Sequence, residues 1–360
     1  MAEKQKKSHK WLKISGIIAA VLVLLALVSP LPLYAETPGE ADNLAGYIKV
    51  DGKKPKVDGE YMITAVYMSQ VNGIGAIMAL LDPTASLMTS YEANGGGSQT
   101  DNVAINKVYM DSAVNEAKAT AFKAADVPYT RTFNGIYVMA GGGKSYFMAV
   151  QDNSNFKKQL HVGDLITSVD GKSFESAKGF QNYIRKNKVG SKLTINYQHN
   201  GKTKEATGKT VALAGTKKLP GIGIALTDAV DVTSDRQVTA DMGDIGGPSG
   251  GLMFSLEMYD ALANENLAAG RKIAGTGTID KDGNVGEIGG IDKKVIVAHE
   301  SGAKIFFAPY IKPTKANLAM ESDGMTNYQL AVKTAKKYAP GMKIVPVKTF
   351  DDAVKYLRTH

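Results

Sequence analysis

The chain has 360 residues and no cysteine, which excludes a disulfide framework, a thiol nucleophile and cysteine-ligated zinc. A hydrophobic fraction of 44% and a charged fraction of 22% are those of a globular protein with a sizeable core. The net charge of +8 suggests nucleic acid only until it is located. Residues 1–13 hold five lysines and one glutamate, half of the excess, and the rest is dispersed without a basic-aromatic pattern, so no nucleic-acid partner is expected.

In chain order, the first predicted element is an N-terminal membrane helix. Ile14–Ala35 carries no charge, and Lys4, Lys6, Lys7, Lys10 and Lys13 precede it. That asymmetry keeps the N-terminus cytoplasmic and places the remainder outside. The length suffices for a bilayer only if Pro30 and Pro32 sit at the outer interface. A cleaved signal peptide ending at Leu33-Tyr34-Ala35 is the competing reading, and Leu33 fits its small-residue position poorly. An uncleaved, single-pass anchor at residues 1–35 is therefore expected, with the bulk of the chain extracellular at the cell membrane. Residues 36–56, polar and rich in lysine and proline, read as a stalk. Tyr61–Met68 reads as a buried strand, Asn94–Ser98 as a flexible loop and Met110–Ala125 as a helix with Ala113, Ala117, Ala121 and Phe122 on one side.

Two later segments carry chemistry. Gly246-Gly247-Pro248-Ser249-Gly250-Gly251 places a serine on a glycine-rich turn, just before an apolar helical stretch, Leu252–Leu262. Gly289-Gly290-Ile291-Asp292-Lys293-Lys294 places a lysine at the start of a second helical stretch. A serine hydroxyl needs a base within hydrogen-bond reach to act as a nucleophile. A lysine serves as that base only where burial or a nearby cation keeps its amine neutral. A helix opening after Ser249 would offer N–H groups to an oxyanion.

These residues resemble the Lon-type serine proteases, which carry a Pro-Ser-Ala-Gly nucleophile motif, a Thr-Gly strand and Gly-Gly-x-x-x-Lys opening a helix. Here they read Pro248–Gly251, Ala274–Ile279 and Gly289–Lys294. The resemblance implies Ser249 as nucleophile, Lys294 as general base and Thr276 as the hydroxyl that holds the lysine amine. It runs from about Gly221 to the C-terminus, and Tyr109–Ala113 matches a helix near the start of that domain. Two departures are visible. Gly250 replaces the usual alanine, and Gly246 stands where the ATP-dependent members have an acid, Asp244 being the nearest.

Between the two parts, residues 129–215 resemble a PDZ domain. Leu160–Ile166 and Val169–Lys172 are the specific match, Gly135-Ile136-Tyr137-Val138 resembles the peptide-receiving strand, and Phe180–Lys186 the groove helix. The implied fold is an α/β (α+β) Lon-type protease domain with an inserted PDZ domain, β-rich with helices, preceded by one transmembrane helix. The expected boundaries are 1–35 tail and anchor, 36–128 stalk and first protease part, 129–215 PDZ and 216–360 proteolytic domain. The resemblance is to the membrane-anchored, PDZ-containing Lon-like proteases of Gram-positive bacteria. It implies an ATP-independent endopeptidase acting on peptides or unstructured protein segments, with an oligomer left open.

Other signals fail. Gly141–Ser145 resembles the end of a Walker A loop, but Val138 stands where its first glycine is required. Gly221-Ile222-Gly223 lacks the third glycine of a dinucleotide fingerprint, Asp280–Gly283 lacks the terminal glutamate of a calcium loop, and the five histidines show no metal-ligand spacing. No cofactor or metal is expected. An α/β-hydrolase esterase also fits the Gly-x-Ser-x-Gly pattern but needs His299 or His360 as base. A non-catalytic PDZ scaffold is the third reading.

Overall fold

The computed structural model describes residues 14–18, 21–22, 24–94, 98–139, 154–213, 218–319, 321 and 324–360. The basic tail, the glycines of the 94–98 loop and the Walker-like Gly141–Ser145 lie outside these residues. The chain divides into two units, one of residues 1–37 and 67–93, the other of 38–66 and 94–360.

In the first unit, residues 14–18, 21–22 and 24–28 are helical, and strand β1 (Pro30–Asn43) begins two residues later. Pro30 disfavours helical geometry at Ser29, which ends the helix there. Among the described residues no helix is long and apolar enough to cross a membrane. The last six residues of the expected anchor are thus strand, with Tyr34 and Ala35 buried. Leu33–Glu36 pair antiparallel with β4 (Ser86–Thr89). The end of β3 (Glu60–Asn72) leads into α1 (Gly73–Leu81), whose N-cap Asn72 accepts the Gly75 N–H at 2.8 Å. A short helix, α2 (Ser90–Asn94), follows β4.

The expected stalk is a folded part of the molecule. Residues 38–43 continue β1, Leu44 and Ile48 are fully buried, and β2 (Ile48–Val50) pairs with β12 (Val238–Ala240). In β2 the buried Ile48 and Val50 flank the exposed Lys49, the alternation that a strand with one buried face requires.

The second unit is built on parallel strands in the order β17 (Lys343–Val347), β16 (Ile305–Pro309), β13 (Lys272–Gly275), β3, with β1 beside β3. Alternation sorts their side chains into two cores. Tyr61, Ile63, Ile273, Phe307 and Val345 face α3 (Gln99–Ala124), α5 (Gly251–Ala263) and α9 (Phe350–Thr359). Met62, Ala274, Phe306 and Ala308 face α6 (Ile291–Glu300) and α8 (Asn327–Tyr338). The result is a helix–sheet–helix sandwich made from both ends of the sequence. A short helix, α7 (Lys315–Leu318), precedes α8.

The intervening segment forms its own antiparallel sheet, in the order β11 (Ala225–Thr233), β5 (Thr130–Met139), β6 (Leu165–Val169), β7 (Lys192–His199), β8 (Lys202–Lys209). Helix α4 (Ala177–Arg185) buries Phe180 and Ile184 in its separate core. Two small hairpins, β9 (Val211–Ala212) with β10 (Pro220–Gly221) and β14 (Thr278–Ile279) with β15 (Val285–Gly286), complete the strands. The sheet takes in β11, so the inserted module ends near Thr233 rather than at 215. Entry and exit lie side by side, because Thr130 pairs with Thr233.

Candidate active site

The serine turn is pinned from two sides. On one, the Gly247 N–H donates to the Asn106 carbonyl of α3 at 2.9 Å, with Gly247 at φ 92°, a conformation that glycine alone adopts without strain. On the other, the Ser249 carbonyl accepts both the Gly277 N–H at 2.8 Å and the Thr276 hydroxyl at 3.1 Å. The Leu252 N–H returns a bond to the Gly277 carbonyl at 3.1 Å. Ser249 thus stands two residues before the first turn of α5, half-buried, on a corner tied to the end of β13.

The two departures from the family motif have packing reasons. A Cβ on Gly250 would come within 2.6 Å of Phe254 Cζ and 2.9 Å of Ile63 Cδ1, so these side chains fill the space an alanine would use. A Cβ on Gly246 would come within 2.9 Å of Asn106 Cβ, so an acidic side chain there would have to displace Asn106. Asp244 is exposed.

Helix α6 starts at Gly290, which has φ 68° and accepts the Lys294 N–H at 3.1 Å. The adjacent lysines are both buried but point to different partners. Lys293 Nζ meets the Asp292 carboxylate at 2.8 Å. Lys294 Nζ lies 2.7 Å from Ser249 Oγ and 3.2 Å from Thr276 Oγ1. A threonine hydroxyl has one proton, and Thr276 gives it to the Ser249 carbonyl. Thr276 therefore meets the amine only as an acceptor. The structure brings Ser249, Thr276 and Lys294 together across 45 residues of sequence. Asn106, which holds the turn from α3, carried no motif and was missed by the sequence analysis.

Two carboxyls near these elements are displaced from ordinary behaviour. Burial, reinforced by Asp260, pushes Glu257 of α5 up to about 8. Glu287, between β15 and α6, is pushed up to about 7, mainly by burial and against the Asn327 N–H that it accepts at 2.8 Å. The esterase alternative finds no support: among the described residues neither His299 nor His360 bonds to Ser249, and His360 stacks on Tyr356 at 4.3 Å.

The expected peptide-binding strand requires correction. Ile136 and Tyr137 pair with Asp228 and Thr227 on one side and with Ile166 and Leu165 on the other. Val138 exchanges bonds with Gly163 and Asp164, and a Cβ on Gly135 would run into the Ile166 carbonyl at 2.3 Å. Gly135–Val138 therefore has no edge to offer an incoming strand. The edge belongs to β11, where α4 lies alongside and the Ala177 N–H donates to Asp228 at 2.8 Å. Gly221-Ile222-Gly223, set aside in the sequence as a failed dinucleotide fingerprint, leads into it.

The histidines also differ from the sequence reading, because His161, Asp164 and His199 converge in space. Asp164, itself buried, accepts the His161 N–H at 2.8 Å and meets His199 Nδ1 at 2.7 Å, while His161 Nδ1 stands 3.8 Å away. One carboxylate oxygen is thus engaged in closing the 161–164 turn and the other in holding His199.

Comparison with known proteins finds a match for each of two domains. A family model for the PDZ domain matches residues 101–210, and one for the Lon protease (S16) C-terminal proteolytic domain matches residues 240–322. This is a PDZ-containing, Lon-like protease. The Lon match holds both Ser249 and Lys294 and supports a serine peptidase, and the PDZ match supports peptide binding. Among solved structures, the PDZ domain of an SdrC-like protein from Listeria monocytogenes is 41% identical, covering 26% of this chain and 90% of that one, with a TM-score of 0.23. That of an SdrC-like protein from Listeria innocua is 39% identical, covering 26% and 92%, with a TM-score of 0.22. No curated protein matches the chain.

Proposed function

We propose that the protein is an ATP-independent, membrane-anchored serine endopeptidase whose Ser249–Lys294 dyad cleaves extracytoplasmic peptides or unstructured protein segments. The observation that carries this reading is the 2.7 Å contact between Lys294 Nζ and Ser249 Oγ, made by a buried lysine inside a Lon-type domain. With the amine neutral, the Ser249 O–H donates to its lone pair. Ser249 Oγ then adds to the substrate carbonyl while its proton passes to Lys294. Thr276, which can only accept, holds one amine hydrogen and so turns the lone pair toward the serine. Collapse of the tetrahedral intermediate breaks the peptide C–N bond, and Lys294 returns the proton to the leaving amine. Water, activated by the same amine, then releases Ser249 from the acyl group. The N–H groups of Ser249 and Gly250 have no partner among the described residues and suit the oxyanion.

The PDZ domain selects clients through strand addition on β11, beside α4. The uncharged Ile14–Val28 behind a lysine-rich tail supports a single-pass anchor with the folded part outside the cell. No ATP drives unfolding there, so clients are already exposed. The intact dyad disfavours a scaffold without catalysis.

Cleavage of an unstructured peptide without ATP tests this reading. Ser249→Ala and Lys294→Ala are each expected to lose at least 10²-fold in kcat/KM with their folds intact, and His299→Ala to keep most activity. Activity of wild type rises with pH as the amine loses its proton, and Lys294→Arg is inactive because guanidinium stays charged. An inactive, folded His299→Ala beside an active Lys294→Ala would return the esterase reading.

A further inference from the structure

Helix α1 (Gly73–Leu81) is apolar along its whole length, yet it is not buried. Its sequence is Gly-Ile-Gly-Ala-Ile-Met-Ala-Leu-Leu. Ile74 is 47% exposed, Ile77 51%, Met78 66%, Leu80 74% and Leu81 79%, and only Ala76 is buried. Tyr67 and Tyr91 of the same unit are also half exposed. A soluble helix keeps a polar face toward water, and this one has none. A contiguous exposed apolar surface of this kind marks a contact with lipid or protein.

The packing inside this unit identifies the occupant. Gly73 sits so close to the helical residues 24–28 that a Cβ on it would meet the Ala26 carbonyl at 2.8 Å and Leu27 Cα at 2.9 Å. Gln70 Nε2 donates to the Leu31 carbonyl at 2.9 Å. Helix α1 therefore starts where the helical part of the N-terminal segment ends. The uncharged stretch from Ile14 to Val28 has fewer residues than the about 20 that cross a hydrocarbon core as a helix. An apolar element at its exit supplies lipid-facing surface where the anchor runs out. Asp82-Pro83-Thr84 then ends the helix with a carboxylate bonded to Thr84, a polar stop suited to the headgroup layer.

We infer that α1 is an interfacial membrane helix, lying in the outer leaflet at the foot of the anchor with Ile77, Met78, Leu80 and Leu81 in lipid. This rests on the anchored reading of residues 14–28, and the test separates the two. The chain has no cysteine, so any introduced one is unique. Full-length Leu22→Cys, Met78→Cys, Leu81→Cys and Lys53→Cys proteins, labelled with bimane, would be reconstituted in phosphatidylcholine–phosphatidylglycerol vesicles. Quenching would be read with lipids brominated near the headgroup or deep in the chain. The expected result is deep quenching at 22, shallow quenching at 78 and 81, and none at 53. Adding Ile77→Glu and Leu80→Glu to the Met78→Cys protein should remove the shallow quenching and leave that at 22 unchanged. Quenching at 22 without any at 78 or 81 overturns the proposal and leaves the anchor. No quenching at any position overturns both. Chain-to-chain crosslinking through 78 or 81 without lipid quenching assigns the face to a second copy and equally overturns it.

Discussion

Two adjacent lysines with opposite environments summarise the chemistry at the scale of single residues. Lys293 is neutralised by Asp292, whereas Lys294 is placed on two hydroxyls. That difference is a matter of helical rotation, about 100° per residue. Ser249, Thr276 and Lys294 were legible in the sequence because each sits in a short motif with glycines that fix its backbone. Asn106 was not, because a backbone carbonyl can be supplied by any residue type. Glu257 was equally silent, since nothing local shows that α5 is buried on almost every side. Its displacement has a sign that can be measured. Its folded-state value of about 8 exceeds the ordinary 4.5, so folding favours the protonated form. That contribution is complete below pH 4.5 and is lost as pH rises through about 8. Glu257→Gln, which mimics the protonated acid, should match wild type in thermal stability at pH 4.5. At pH 9 it should exceed it, by at most on the order of 3–5 kcal/mol. Parallel melting curves for the two proteins across that range would count against a buried carboxylic acid.

At the scale of elements, the main lesson concerns strands. Gly135–Val138 has the composition of a peptide-receiving strand, and nothing in its own residues reveals that both of its edges are taken. Only the strand order does so, by placing β11 outside β5. Helix α3 shows the same limit. Its apolar periodicity is visible from Met110, but its first turn, Gln99–Asn102, is polar, and its start is set by the Ser98–Asp101 capping box. The edge assignment makes a direct prediction. Leu226→Asp on β11 should weaken binding of a substrate peptide tenfold or more, whereas Thr194→Asp on interior β7 should not. Amide exchange on peptide addition should slow at 225–228. Unchanged affinity in Leu226→Asp, with slowed exchange at 135–138 instead, would restore the original assignment.

For the molecule as a whole, the order of segments along the chain and their order in space diverge. Residues 57–66 and 98–128 share one core with residues 234–357, as the split resemblance led one to expect, but 67–93 belong to the other unit. The insertion boundary was misplaced because β11 follows a loop and reads like the start of the next domain. Paired Cα atoms of an antiparallel ladder lie about 5 Å apart, so Thr130 and Thr233 can be bridged by a tight turn. Replacing 131–232 with Asn-Gly should leave a folded Lon-type domain that still cleaves a small peptide and has lost preference for longer clients. Deleting 129–215 should aggregate, because β11 is left without β5. Equal solubility of both deletions would argue that β11 belongs to the protease core.

The proposed function turns on Ser249 as nucleophile and Lys294 as its base. The most direct test is covalent labelling with a peptidyl phosphonate, which forms a stable ester with an activated serine, followed by peptide mapping at pH 8 without ATP. The account predicts one adduct, on Ser249, forming at least 10²-fold more slowly in folded Lys294→Ala. An adduct on another residue, or an unchanged rate in Lys294→Ala, would contradict it.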